Sequence, residues 1–187
     1  MPSDTAHCAA CRAGFEGKTG AFIKRKRPAI IDCRRYRTAD RTAKNQRDYY
    51  SGKAHACTIK TEVVIAPNGQ ILRVSKPYEG SVHDFKIRKT EGPLPTLPIL
   101  ADSGYQGLQN EHSAAVILPK KKPKNGSLSS SEQARNTKLA RCRIAIEHTF
   151  AHLKKWHILA ARYRGHLDSY SQVFHTIAGI YNLSLAK

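Results

Sequence analysis

Acidic residues are scarce in this chain. Fourteen Asp and Glu stand against 32 Lys and Arg in 187 residues, for a formal net charge of +18. Solubility alone is met by roughly 2–8 charges in a small domain. The surplus points to a polyanionic partner, with nucleic acid first and a basic, ribosomal-type RNA binder as the rival class. Long apolar runs are missing too. No stretch reaches the ~18 apolar residues of a membrane span. The opening MPSDTAHCAACRAGFEG has no apolar core of signal-peptide length. No basic amphipathic helix stands apart to lie on an anionic membrane. The expected location is therefore the cytoplasm, where the chain is made.

The five cysteines are an odd number and form no framework. Cys33, Cys57 and Cys142 sit in apolar segments and read as reduced core residues. Cys8 and Cys11 form a CxxC beside His7, but a zinc site needs about four ligands and no second CxxC follows. Residues 1–27, ending in the basic KRKR, read as a disordered tail or a truncated edge.

The rest of the chain, at 40% apolar residues overall, is long enough for one domain with a real core. PAIID (28–32) reads as a short buried strand, and CRRYRTADRTAKNQRDYYSGK (33–53) as a basic loop. HACTIKTEVVIA (55–66) and ILRVSK (71–76) flank PNGQ, where Asn68-Gly69 predicts a tight hairpin turn. GSVHDFKIRKT (80–90) predicts a short helix capped by Ser81. LPILAD (97–102) and AAVIL (114–118) are two further apolar strands, the second followed by the basic, Pro/Gly/Ser-rich loop PKKKPKNGSLSS. From Ser131 to about Trp156 the spacing is helical, with Leu139, Cys142, Ile146, Phe150 and Leu153 on one stripe, and residues 169–186 form a last helix. Strands first and helices late imply an α/β sheet with helices packed on its faces.

In so basic a chain the acids are the informative residues. Asp32 and Asp102 each end an apolar run, and open α/β sheets place their sites at strand ends. Either Asp alone serves equally well as a strand stop or a helix cap. Glu147 is the lone acid of RCRIAIEHTFAHLKKW (141–156). At about 100° per residue, Arg143 and Glu147 lie about 40° apart and Lys154 returns to within about 20° of Arg143, all at the border of the apolar stripe. That spacing also suits an i, i+4 salt bridge between Arg143 and Glu147. Three acids from two strand ends and a late helix match what Mg²⁺ or Mn²⁺ takes from a protein: a few carboxylates, with water and substrate phosphate filling the rest. Two such ions about 4 Å apart serve phosphodiester chemistry.

Six blocks in order carry a resemblance: IID, YYSGKAHACTIKTEVVIAPNGQIL, GSVHDF, ILADSGYQGL, LPKKKPK, and Arg143-x3-Glu147-x6-Lys154. Together they resemble a DDE transposase of bacterial insertion sequences, in the subgroup related to Harbinger-type elements, over roughly residues 28–187. The resemblance implies a ribonuclease-H-like mixed sheet with flanking helices, in which Asp32, Asp102 and Glu147 are catalytic and hold two Mg²⁺ (or Mn²⁺), with the SVHD acid Asp84 as a fourth ligand. It also implies that Arg143 and Lys154 contact DNA phosphate or orient Glu147, that His83 and Tyr105 shape the pocket, and that the protein acts on double-stranded DNA as a nucleoid-associated dimer. Lys120, Lys121, Lys122 and Lys124, with Arg34, Arg35 and the basic loop to Arg47, are the expected DNA-backbone contacts. There are departures. The family follows its first Asp with a small residue, Thr and Glu, whereas this chain reads DCRRYR, and Ala140 stands where the family carries a Tyr. Family members also carry an N-terminal helix-turn-helix region, and only 27 residues precede the first expected strand here. A basic, catalytically inactive nucleic-acid-binding fragment is therefore the alternative expectation.

Overall fold

The computed structural model describes residues 28–38, 46–52 and 54–186. The expected tail with Cys8 and Cys11, and residues 39–45 of the expected basic loop, lie outside them.

Strand β1 (Ala29–Arg37) opens with the AII run and pairs antiparallel with β3 (Ala56–Ile65) from Ile30↔Ile65 to Arg37↔Thr58. It continues past Asp32 through CRRYR, a stretch expected to be loop. The ten residues of β3 give those arginines a ladder partner at every step, and the ladder outweighs their modest strand preference. The other edge of β3 carries three short strands in turn: β4 (Ile71–Val74), β5 (Tyr78–Glu79), and β2 (Tyr50–Ser51), which follows the short helix α1 (Gln46–Tyr49).

The β3–β4 hairpin forms as expected, but its loop is wider than a two-residue turn. Gly69 N–H donates to Ala66 O at 2.9 Å and Ala66 N–H to Gln70 O at 2.7 Å, so Pro67, Asn68 and Gly69 make a three-residue connection. Only Gly69 has a positive φ, 90°, as a turn closed by a glycine bulge requires.

Helix α2 (Asp84–Thr90) is the crossover to the parallel half. His83, not Ser81, caps it, its Nδ1 accepting the Phe85 N–H. β6 (Ile99–Leu100) then lies parallel to β1, and β7 (Val116–Ile117) parallel to β6. The order β2-β3-β1-β6-β7, antiparallel on one side of β1 and parallel on the other, is a mixed sheet compatible with a ribonuclease-H-like fold.

Three helices follow: α3 (Ser130–Leu153), α4 (His157–Ala160) and α5 (Leu167–Leu185). A capping box of Ser129 and Glu132 starts α3. Leu139, Ile146, Phe150 and Leu153 of α3, with Tyr170, Phe174 and Ile177 of α5, pack on the face showing Ile30, Tyr36, Val63 and Leu100. The opposite face shows Ala29, Ile31, Val64 and Ile99 and is covered by Tyr105, Leu108 and Phe85.

Candidate active site

Side chains alternate along a strand, so Ile30 and Asp32 share the α3 face. Because Ile30 pairs in parallel with Leu100, Asp32 and Asp102 leave neighbouring strands side by side on that face. The chain turns at Asp102, whose Oδ1 accepts the Ser103 N–H at 2.7 Å and caps a 3₁₀ turn over Ser103–Tyr105. Oδ1 of Asp32 accepts the Cys33 N–H at 2.9 Å. Helix α3 lies across both, anchored by Ile146 and Phe150 in the core.

From α3, Arg143 spans the two aspartates: Nη1 donates to Asp102 Oδ1 at 3.0 Å, and Nη2 lies 3.4 Å from Asp32 Oδ2. Glu147, one turn on, pairs not with its helix neighbour Arg143 but with Arg34 of β1, two residues beyond Asp32 on the same face. The Arg34 guanidinium also stacks 4.5 Å from the centre of the Phe150 ring. Residues 32, 34, 102, 143 and 147 thus form one linked array of three carboxylates and two guanidinium groups.

The three acids differ in exposure. The side chain of Asp32 is 13% exposed, that of Asp102 43% and that of Glu147 50%. Burial raises the Asp32 carboxyl from 3.8 to about 6; Arg143 and Arg34 oppose the rise, and Asp102 and Glu147 add to it. The two other acids therefore sit close enough to act on Asp32 electrostatically. An all-oxygen donor set around a buried, reluctantly ionised carboxylate fits a hard divalent cation. The arginines now stand between the acids, and among the described residues no three His, Cys, Asp or Glu form a ready metal cage. One buried nitrogen of this bridge, Nε of Arg143, has no hydrogen-bond partner.

A cleft of about 330 Å³ opens directly beside the array. Asp102, Ser103 and Arg143 line it together with Lys120, Lys121, Lys122 and Asn136. The sequence did not single out Asn136, which clamps Lys120 on both backbone groups at 2.9 Å: its Oδ1 accepts the Lys120 N–H and its Nδ2 donates to Lys120 O. Lys124 is exposed further along the loop, and Lys154 is the exposed C-cap of α3.

Other expected site residues lie elsewhere. Asp84 accepts a hydrogen bond from Lys60 Nζ at 3.0 Å, on the sheet face opposite Asp32, since Lys60 pairs with Arg35 in the ladder. Arg35 points away from Arg34 by the same alternation. Tyr105 is fully buried behind the site, its hydroxyl 3.0 Å from Cys33 Sγ and donating to Glu62 Oε2 at 3.4 Å. Glu62 is ion-paired to Arg88, and burial lifts its carboxyl to about 7. One signal of this network is visible in the sequence: two charged residues, Lys60 and Glu62, inside the β-branched run ACTIKTEVVI.

Comparison with known proteins gives two findings. The family model described as "DDE superfamily endonuclease" matches residues 31–182. The chain is 36% identical over 149 residues, 79% of its length, to a protein named "Probable transposase for insertion sequence element IS702" from Microchaete diplosiphon. It spans about half of that curated relative, 54%. No solved structure matches.

Proposed function

Because the chain belongs to the DDE superfamily of endonucleases, we propose that it carries the phosphoryl-transfer centre of a transposase, with Asp32, Asp102 and Glu147 holding two Mg²⁺ or Mn²⁺ ions and DNA as substrate. One observation carries this reading: acids 70 and 45 positions apart in sequence meet on one sheet face, where a single guanidinium spans two of them and a second holds the third. Such ions, when bound, supply activation of the attacking oxygen and charge stabilisation at the leaving one, both for cutting and for strand transfer by a 3′-hydroxyl.

The chain's own residues do the rest. The parallel register of β1 and β6 keeps Asp32 and Asp102 adjacent, and Asp102 is further fixed by its cap on the 3₁₀ turn. Phe150 and Ile146 seat α3 so that Glu147 faces them. Lys120, Lys121 and Lys122, with Arg143, draw the DNA backbone into the cleft next to Asp102. Arg143 releases the aspartates as a phosphate enters and then serves as its counter-ion. Asp84, held by Lys60, stands outside the metal set in this reading. Transposition joins two ends, so two copies act on one DNA complex.

A second reading rests on the same bridges. With both guanidinium groups left in place, the site is closed, and the protein is a basic DNA binder without catalysis. Nicking of supercoiled plasmid separates the two. Mg²⁺-dependent nicking that disappears in Asp102→Ala while DNA binding persists is the expected result. DNA binding by the wild-type chain with no nicking at any Mg²⁺ or Mn²⁺ concentration, or nicking that survives Asp102→Ala, overturns the catalytic reading.

A further inference from the structure

Arg34 lies in the stretch that departs from the family pattern, and its side chain turns inward to the site. It reaches from β1 to Glu147 on α3, with the flat of its guanidinium on Phe150. Its own side chain is 27% exposed, and Glu147, at 50%, is the most open of the three acids. Its charge also acts on Asp32, holding down a carboxyl that burial lifts. The guanidinium is engaged with a carboxylate and a ring, and Arg34 is not among the residues lining the cleft beside Asp102.

We propose that Arg34 is a resident internal cation that occupies the Glu147 carboxylate and competes with divalent metal for it. This rests on the reading of Glu147 as a metal ligand. The guanidinium holds Oε2 of Glu147, and a metal ion on the same carboxylate would be a second cation repelled by it at close range. Metal binding therefore works against the Arg34–Glu147 pair. A half-exposed ion pair is modest in strength, of the order of a few-fold in an equilibrium constant. The pair sets a threshold concentration for metal and does not block it. Arg143 is the corresponding bridge for the two aspartates, but it lines the cleft beside Asp102, where the proposed function gives it a second task. Arg34 does not line that cleft.

The test uses Mn²⁺ alone, without DNA, titrated into the full chain and followed by the electron paramagnetic resonance signal of the free ion. Arg34→Met keeps a stem to pack on Phe150 and removes the charge; Arg34→Lys keeps the charge. Arg34→Met is expected to bind Mn²⁺ about fivefold more tightly than the wild type, and Arg34→Lys to stay within about twofold of it. In an Glu147→Gln background the gain from Arg34→Met should shrink to under about twofold. Circular dichroism and melting temperature establish that each variant is folded. Equal or weaker Mn²⁺ binding by folded Arg34→Met, or a gain that persists undiminished with Glu147→Gln, overturns the role of Arg34 and leaves the metal site standing. Absence of Mn²⁺ binding in wild type and Arg34→Met alike overturns both.

Discussion

Single residues in this protein are defined by what neutralises them. Asp32 shows this most directly. Its folded carboxyl titrates near 6, above the ordinary 3.8, because burial disfavours the charge. Between those two values the folded state holds more protons at this position than the unfolded one. The contribution of Asp32 to stability is therefore largest below about 4 and is lost as pH rises through about 6. In metal-free buffer, the melting temperature of Asp32→Asn should pull ahead of the wild type progressively over that window and then stay level. A gap that narrows with rising pH would contradict the burial argument. The Glu62–Arg88 pair behind the site makes a second residue-scale case, since both side chains are almost completely buried. Arg88→Met strands a carboxylate and should cost about 3–5 kcal/mol in urea unfolding, whereas adding Glu62→Met to it should recover much of the loss.

Elements matter here through how they end and how they seat the site. Helix α3 carries Arg143 and Glu147, and its start is fixed by the Ser129–Glu132 capping box. Ser129→Ala should lower stability by about 1 kcal/mol, read by thermal melting, with the far end of the helix unchanged. Phe150 is both the core anchor of α3 and the plate under Arg34. Phe150→Ala should cost about 3–5 kcal/mol and should also loosen Glu147. In the edge strands, Gly80 lies so close to β3 that an added Cβ would meet Thr58 Oγ1 at 2.0 Å and Thr58 O at 2.7 Å. Gly80→Ala should therefore disrupt the β5–β3 pairing, visible as faster exchange of the β3 amide, of the two at Ile59 and Lys60, that points toward β5.

Charge is the property of the whole molecule. A net +18 gives any bound polyanion a strong pull with little sequence content. DNA affinity should fall steeply and linearly on a log–log plot against salt. Replacing Lys120, Lys121 and Lys122 together with Ala should flatten that slope by about 2–3, because each phosphate contact contributes about 0.9. A slope left unchanged would mean that the cleft beside Asp102 does not hold the backbone. No described helix is long and apolar enough to cross a membrane.

Periodicity and punctuation, both local properties, determined the elements: the β3–β4 hairpin, the two apolar runs that lead into Asp32 and Asp102, and the stripe that seats α3. Ordered motif blocks determined the family. Local pattern did not reach the continuation of β1 through CRRYR, because only pairing with the long β3 makes a basic segment a strand. It did not reach the His83 cap either, since the helix start depends on where the crossover chain lands. Above all, the partners of the charges were decided in three dimensions. Helical spacing offers Arg143 to Glu147, yet the parallel β1–β6 register sets two aspartates beneath Arg143, and strand alternation turns Arg34 up to Glu147. Coulomb attraction depends on distance through space, and sequence separation does not encode that distance until the sheet has formed.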